Sequence, residues 1–286
     1  MSTALQRHLL TAPLGTPGSA RARYGAAMAL RGEGLLSDAQ LEAYREASAL
    51  DAQDPAQVLA DRGLAAPDLP APGPAEILGL LLAELDRLLS RTSGEGIAEV
   101  RAGLAPALGQ NPKPSLFPPN RVIAAHLPAA LAALAPGDPA LAQIIAAAAP
   151  HLRWVTYDAY DPAQIGRHFP RAHAFASLVG EDAPFAARDY DLGLFLIAPG
   201  TLYRDHAHPA PELYLPLTGP HRWRFAPGAP FHEKPAFAPV WNPPLQPHAT
   251  LTGAMPFLAL FAWTANVTAP AHVIPAPDWA MFEPVS

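Results

Sequence analysis

Between Tyr203 and Gly219 the chain reads Tyr-Arg-Asp-His-Ala-His-Pro-Ala-Pro-Glu-Leu-Tyr-Leu-Pro-Leu-Thr-Gly, which sets the imidazoles of His206 and His208 and the carboxylate of Glu212 within seven residues. A third imidazole, His248, precedes the apolar run Phe257 to Trp263. Side chains on a strand alternate between faces, so His206 and His208 share a face, and so do Glu212 and Tyr214. If Pro209-Ala-Pro211 bends the chain without changing its facing, all four side chains enter one cavity, and Gly219 supplies a turn beyond them. The pattern is that of a metal site on a β-barrel. Neutral imidazole and carboxylate suit a divalent transition metal (Zn, Fe, Mn, Ni or Co) better than Ca or Mg, and three His plus one Glu leave positions open for substrate or water. Open positions favour catalysis over a structural site. The competing reading makes His206 and His208 surface histidines in a polar loop and Glu212 a solvated strand residue. The set as a whole, in a chain with no cysteine, weighs against that reading.

A length of 286 residues fits one large or two small domains and allows a sizeable core. The hydrophobic fraction of 50% against 15% charged residues excludes a disordered chain. The net charge is −6 and no basic block is interleaved with aromatics, so the expected partner is a small molecule and not nucleic acid. With no cysteine, disulfides, Cys-ligated zinc and thiol nucleophiles are excluded. Met1 to Gly15 holds a single Arg7 and only short apolar runs, too little for a signal peptide, so a cytoplasmic location is expected. The most apolar window, Ile77 to Leu89, is interrupted by Glu84, Asp86 and Arg87 and falls short of the ~20 residues needed to cross a bilayer. It predicts a buried helix, and no membrane partner is expected.

Up to about residue 150 the chain reads helical. Ser37-Asp-Ala-Gln40 is a capping box opening a helix through about Ala49. Asp54-Pro55 opens a second helix that Gly63 closes, and Pro74 to Arg91 spaces Leu78, Leu81, Leu85, Leu88 and Leu89 as a core stripe. Ile97 to Leu108 and Arg121 to Leu134 follow, and Asp138-Pro139 opens a run through Ala149. The Pro-rich segment Pro67 to Gly73 reads as a linker. After Pro150 short strands take over, with Leu192–Ile197, Glu212–Leu217, His221–Phe225, Ala238–Trp241 and Phe257–Trp263 as candidates. The domain expectation is therefore a helical appendage over 1–70, a helical region over 71–150 packing on a barrel, and the metal-binding β-barrel over 151–286.

His206-x-His208-x3-Glu212-x6-Gly219, with His248 on a later strand, resembles the metal motif of the cupins. The resemblance implies a mainly β fold, a double-stranded β-helix or jelly-roll barrel in the C-terminal half, with an α-helical N-terminal region. More narrowly, Leu192-Gly-Leu-Phe-Leu-Ile-Ala-Pro-Gly-Thr-Leu-Tyr203, Glu212-Leu-Tyr214, Gly219-Pro-His-Arg-Trp223 and Pro256-Phe-Leu-Ala-Leu-Phe-Ala-Trp263 are similar to the cupin-type dimethylsulfoniopropionate (DMSP) lyases of marine bacteria. The similarity runs from about Arg121 to Pro270 and takes in Trp154, the Tyr157-Asp158 pair and Phe169. One departure follows His248, where Ala249-Thr-Leu-Thr252 stands in place of the family's Ala-Met-Arg-Thr.

This resemblance implies cleavage of DMSP to dimethyl sulfide, acrylate and a proton. It implies His206, His208, Glu212 and His248 around a divalent metal, Tyr214 as base, and Tyr203 as a second tyrosine in the pocket. A sulfonium cation has no hydrogen-bond donor and is held best by aromatic faces. Trp223, Trp241, Trp263 and Phe195 are candidates for that wall, and Arg204 for a substrate carboxylate; core packing and solvation are their ordinary alternatives. Two other functions stay open: a metal-dependent cupin dioxygenase or isomerase on a small carboxylate, and a non-catalytic ligand-binding cupin. A homodimer is one oligomeric option.

Overall fold

The computed structural model describes residues 3–157 and 160–283, so Asp158 lies outside the described residues. Eight helices come first: α1 (Thr3–Leu10), α2 (Ser19–Gly32), α3 (Asp38–Glu46), α4 (Pro55–Asp61), α5 (Pro74–Arg91), α6 (Ile97–Leu104), α7 (Arg121–Leu134) and α8 (Pro139–Ala148). Their starts follow local chemistry. The Ser37 hydroxyl accepts from the Gln40 amide while the Gln40 side chain accepts from the Ser37 amide. Asp54 and Asp138 cap α4 and α8 in the same way through the amides of Ala56 and Leu141. The sequence marks the stretch holding α1 and α2 as helical without delimiting either helix. The N-cap of α2, Gly18 at φ 80°, has no side chain to offer, so the local start signal is missing.

The chain divides into two compact units, one formed by Met1–Leu81 with Leu131–Ala149 and the other by Leu82–Ala130 with Pro150–Ser286. In the first, the buried Arg23 guanidinium donates to the carbonyls of Ala12, Asp51 and Gln53, and the Asp51 carboxylate accepts from the amides of Gly18 and Ala20. Among the described residues no helix is long and apolar enough to cross a membrane.

Besides α6 and parts of α5 and α7, the second unit contains two short helices, α9 (Pro162–Ile165) and α10 (Phe169–Ala172), and then the strands. These are β1 (His173–Gly180), β2 (Phe185–Ala186), β3 (Asp191–Ile197), β4 (Leu202–Ala207), β5 (Glu212–Pro216), β6 (His221–Arg224), β7 (His232–Lys234), β8 (Val240–Asn242), β9 (His248–Leu251), β10 (Phe257–Trp263) and β11 (His272–Val273). They form a six-stranded sheet in the order β2-β1-β3-β10-β5-β8 and a five-stranded sheet in the order β11-β4-β9-β6-β7. All pairings are antiparallel except β1 with β2. Both sheets feed one aromatic core, including Phe195 from β3, Tyr203 from β4, Tyr214 from β5, Trp223 from β6 and Phe257 from β10. The layout is the expected one, a cupin-type barrel in the C-terminal half after an α-helical N-terminal region, although helix outweighs strand in a chain expected to be mainly β.

Two features of register position the site. In the larger sheet Asp191, Trp263, Glu212 and Asn242 lie side by side in one cross-strand row, so their side chains share the inner face. In the smaller sheet His206 pairs directly with His248, and the register of β4 against β9 shifts between Tyr203 and His206. Simple alternation would send Tyr203 and His206 to opposite faces; the bulge returns both to the inner one.

Candidate active site and metal centre

His206 from β4, His208 just past its end, His248 from β9 and Glu212 from β5 are all almost completely buried. One nitrogen from each of the three imidazoles lies within 4.8 Å of the others. The tautomers follow from the partners. Nδ1 of His206, His208 and His248 lies 2.8, 2.8 and 2.9 Å from the backbone oxygens of Arg204, Ala210 and Gln246. A carbonyl only accepts, so each Nδ1 carries its hydrogen and each Nε2 turns a lone pair, or a proton if the ring is charged, toward the centre. Nε2 of His208 and of His248 each lies 3.2 Å from Glu212 Oε2, and Nε2 of His206 and His248 is buried without a hydrogen-bond partner. Lone pairs beside a carboxylate repel it unless a proton or another cation lies between them, and this donor set could hold a divalent transition metal.

The carboxylate is held in turn. Trp263 Nε1 donates to Glu212 Oε1 at 2.7 Å and Asn242 Nδ2 to Oε2 at 2.9 Å. Burial pushes the Glu212 carboxyl up, but His208 and His248 outweigh it and hold it well below the usual carboxylate range. Burial and the neighbouring His248 and His208 drive His206 far below an ordinary imidazole. His208 is the exception: burial depresses it, yet the Glu212 charge carries it above its ordinary value.

Beside this cluster lies a cavity of about 150 Å³ walled by Tyr157, Phe175, Phe195, Tyr214, Phe261 and Trp263, with Tyr160, Tyr203, Glu212 and Asp191 also on its surface. Tyr214 stacks on Phe195 at 5.8 Å. Burial first and the Glu212 charge second push its phenol well above the ordinary value. The Tyr203 hydroxyl is 2.5 Å from that of Tyr160. Tyr203 also belongs to a column of four rings: His173 on Phe169 at 4.0 Å, Phe169 on Tyr203 at 3.9 Å, and Tyr203 on His206 at 3.9 Å, with interplanar angles of 9°, 11° and 17°.

The structure thus brings together His206, His208, Glu212, His248, Tyr203, Tyr214, Phe195 and Trp263. It does not bring in three other expected residues. Trp223 is wholly buried 5.4 Å from Tyr214, packed against Phe257 instead of lining the cavity. Trp241 pairs with Leu213, whose neighbours Glu212 and Tyr214 face inward, so Trp241 faces outward. There it lies on Gly96 (φ 78°), where an added Cβ would stand 2.0 Å from the indole. Arg204 also points out of the barrel; both its forks are taken by Glu283 at 2.6 and 2.9 Å, and its guanidinium covers Trp279. The departure after His248 puts Thr250 on the inner face opposite Tyr203 and Trp223, and Leu251 on the outer one. Tyr160, Asn242, Phe175, Phe261 and Asp191 are site residues that the sequence reading passed over.

Two antiparallel sheets closing over an inward set of three histidines and a glutamate define a cupin-class barrel. Residues 99–259, over half of the chain, match the model of the dimethylsulfoniopropionate lyase family, and the chain belongs to that family. It is 32% identical over 117 residues to dimethylsulfoniopropionate lyase DddQ of Ruegeria pomeroyi, an alignment that covers 41% of this chain and only 58% of DddQ. It is 28% identical over 200 residues to the putative dimethylsulfoniopropionate lyase DddL of Cereibacter sphaeroides, covering 65% of this chain and 81% of that protein. The crystal structure of DddQ from Ruegeria pomeroyi superposes with a TM-score of 0.50 at 27% identity, over 71% of this chain and 96% of that one. A structure from work on the DMSP lyases RdDddP and RnDddQII reaches a TM-score of 0.54 at 21% identity, over 71% and 100% of the two chains, and shows the fold alone.

Proposed function

We propose that the protein is a metal-dependent carbon–sulfur lyase that cleaves DMSP to dimethyl sulfide and acrylate by β-elimination, with Tyr214 as the base. The observation that carries this reading is the convergence of three fixed imidazole nitrogens, two of them 3.2 Å from Glu212 Oε2, beside an aromatic cavity that Tyr214 lines. His206, His208, His248 and Glu212 would hold a divalent metal, which supplies Lewis acidity at the substrate carboxylate as the α-proton departs.

The remaining work falls to this chain's own side chains. Tyr214 shares the inner face of β5 with Glu212, two residues away, and its oxygen takes the α-proton. In the bare chain burial and the Glu212 charge keep that phenol protonated, so it acts as a base only once the negative charge of Glu212 is offset. Tyr203, tied to Tyr160 and clamped between Phe169 and His206, orients the substrate. Phe195, Phe261 and Trp263 exclude water and wall the departing dimethyl sulfide.

Headspace gas chromatography of dimethyl sulfide from purified protein and DMSP tests the reaction, and Tyr214→Phe tests the base. The expected result is a loss of about 10²–10⁴-fold in turnover with metal content unchanged. Tyr203→Phe is expected to cost less. Near-normal turnover in metal-loaded Tyr214→Phe would transfer the base role elsewhere, and absence of dimethyl sulfide from the wild-type protein would overturn the lyase reading.

A further inference from the structure

Asp191 opens β3 on the inner face of the barrel and lies in the row that runs through Trp263 to Glu212. Two strand spacings therefore separate it from Glu212, roughly 10 Å from backbone to backbone. Its Oδ1 is buried without a hydrogen-bond partner, and among the described residues no arginine, lysine or histidine forms an ion pair with it. Burial lifts its carboxyl to about 6, partly offset by the Ser177 hydroxyl, so at neutral pH it is mainly a carboxylate.

Its surroundings suit a cation. Asp191 shares the aromatic cavity with Phe175, Phe195, Phe261 and Trp263. It also borders a second cavity, lined by Lys113, Arg153, Glu181 and Asp182 among others, and only Asp191 and Val267 line both. A buried carboxylate facing apolar rings is costly in the empty protein and is compensated by an opposite charge. The other end of the cavity is lined by Glu212, beside the histidine cluster that would hold a divalent metal, and a metal there would suit an anion. A small zwitterion with a carboxylate at one end and an onium group at the other matches this polarity.

We propose that Asp191 is the specificity-determining anion for the cationic end of the substrate, facing an onium group held against Phe195, Phe261 and Trp263 while the substrate carboxylate points to the histidine cluster. This inference rests on the lyase reading for the identity of the cation as a sulfonium, and on the geometry alone for its charge. Asp191 selects by charge. It takes no proton from the substrate and forms no bond to it.

The test compares a charged ligand with an uncharged one of the same shape. Calorimetric titration of the metal-loaded full chain uses 3-(trimethylammonio)propionate and its carbon isostere 4,4-dimethylpentanoate, against wild type and Asp191→Asn. The wild type is expected to prefer the cation, and Asp191→Asn to lose about tenfold or more of that preference while binding the isostere as before. For DMSP itself the expected change is a rise in KM of similar size with kcat little altered. Asp191→Glu, which restores the charge, is expected to recover part of the preference. An unchanged preference ratio in Asp191→Asn overturns the inference, as does a wild type that binds neither ligand. Retained cation preference in a wild type that forms no dimethyl sulfide overturns the lyase reading and leaves the role of Asp191 standing. Dimethyl sulfide formation with an unaltered ratio does the reverse.

Discussion

The helical unit and the barrel treat buried polar groups in opposite ways. In the helical unit Arg23, 3% exposed, spends its guanidinium on four backbone carbonyls and the Ser19 hydroxyl. Among its described residues that unit leaves two buried side-chain atoms without a partner, Gln6 Oε1 and Arg7 Nε, the latter on a side chain still tied to Glu76. The barrel contains an equally saturated arginine, Arg224, between Asp205 and Asp278. It also leaves five lone atoms, on Asp191, His206, Trp223, Asn242 and His248. Three of these, on His206, His248 and Asn242, gather around Glu212. Buried polar atoms are normally satisfied, so a group of them around one carboxylate marks a place kept for something that is not protein. Burial and charge occur in both regions; unspent valence is concentrated in only one.

The largest effect that would sharpen this contrast is loss of a ligand. His208→Ala and His248→Ala are expected to lose metal and activity together, turnover falling by more than about a hundredfold. Stoichiometric metal in both variants, by elemental analysis, would refute the ligand set. Arg23→Ala should do the opposite: strand several carbonyls, lower the unfolding free energy by about 3 kcal/mol, and leave metal content and turnover per folded molecule unchanged. A turnover defect that tracks Arg23→Ala would break the distinction between the two regions.

Asp191 supplies a prediction with a definite pH sign. Its folded value of about 6 lies above the ordinary 3.8, so the folded chain holds the extra proton between those values. Its stabilising share is complete below about pH 4 and is lost as pH rises through 6. Asp191→Asn is therefore expected to gain on the order of 2–3 kcal/mol at pH 7 and nothing at pH 4, read by denaturant unfolding of the metal-free protein. His173, held neutral by burial at about 4, works the other way and costs stability as pH falls from 6.5. An equal gain at both pH values would show that the Asp191 charge is not what is being relieved. The smallest effect is expected for the donors to Glu212: Trp263→Phe and Asn242→Leu should each weaken metal binding about tenfold in competition with a chelator.

Much of this was legible in the chain because it was written locally. Ser37, Asp54 and Asp138 announce their helices, and the bounds of α5, α7 and β10 coincide with those the apolar spacing gives. His206, His208 and Glu212 are close in sequence and could be read as a set, with His248 added by its place before a strand. What stayed hidden depends on register. Asn242, Glu212, Trp263 and Asp191 become neighbours only when four strands align, and no spacing along the chain encodes that row. Register also decided the misplaced aromatics and cations. Trp241 is one residue from the inward Asn242 and Arg204 one from the inward Tyr203, and in a strand one residue is the difference between cavity and exterior. Tyr160 lies in a loop ahead of α9, where neither period nor cap marks a functional residue.

The ring column has a mechanical consequence. It starts at His173 in the larger sheet, passes through Phe169 of α10 to Tyr203 in the smaller one, and ends on His206 of the same strand, so its first two steps bridge the sheets and its third carries the contact to the site. Aromatic faces in contact are nearly incompressible, so the column acts as a gauge block between the two sheets. The barrel wall cannot pinch inward at that point to suit a smaller ion, nor relax outward for a larger one without parting the stack. Any ion that enters meets an imidazole whose position and tilt are already set, and tolerance for ionic radius must come from the other side of the centre, where His208 and Glu212 are held by hydrogen bonds and not by a column of rings.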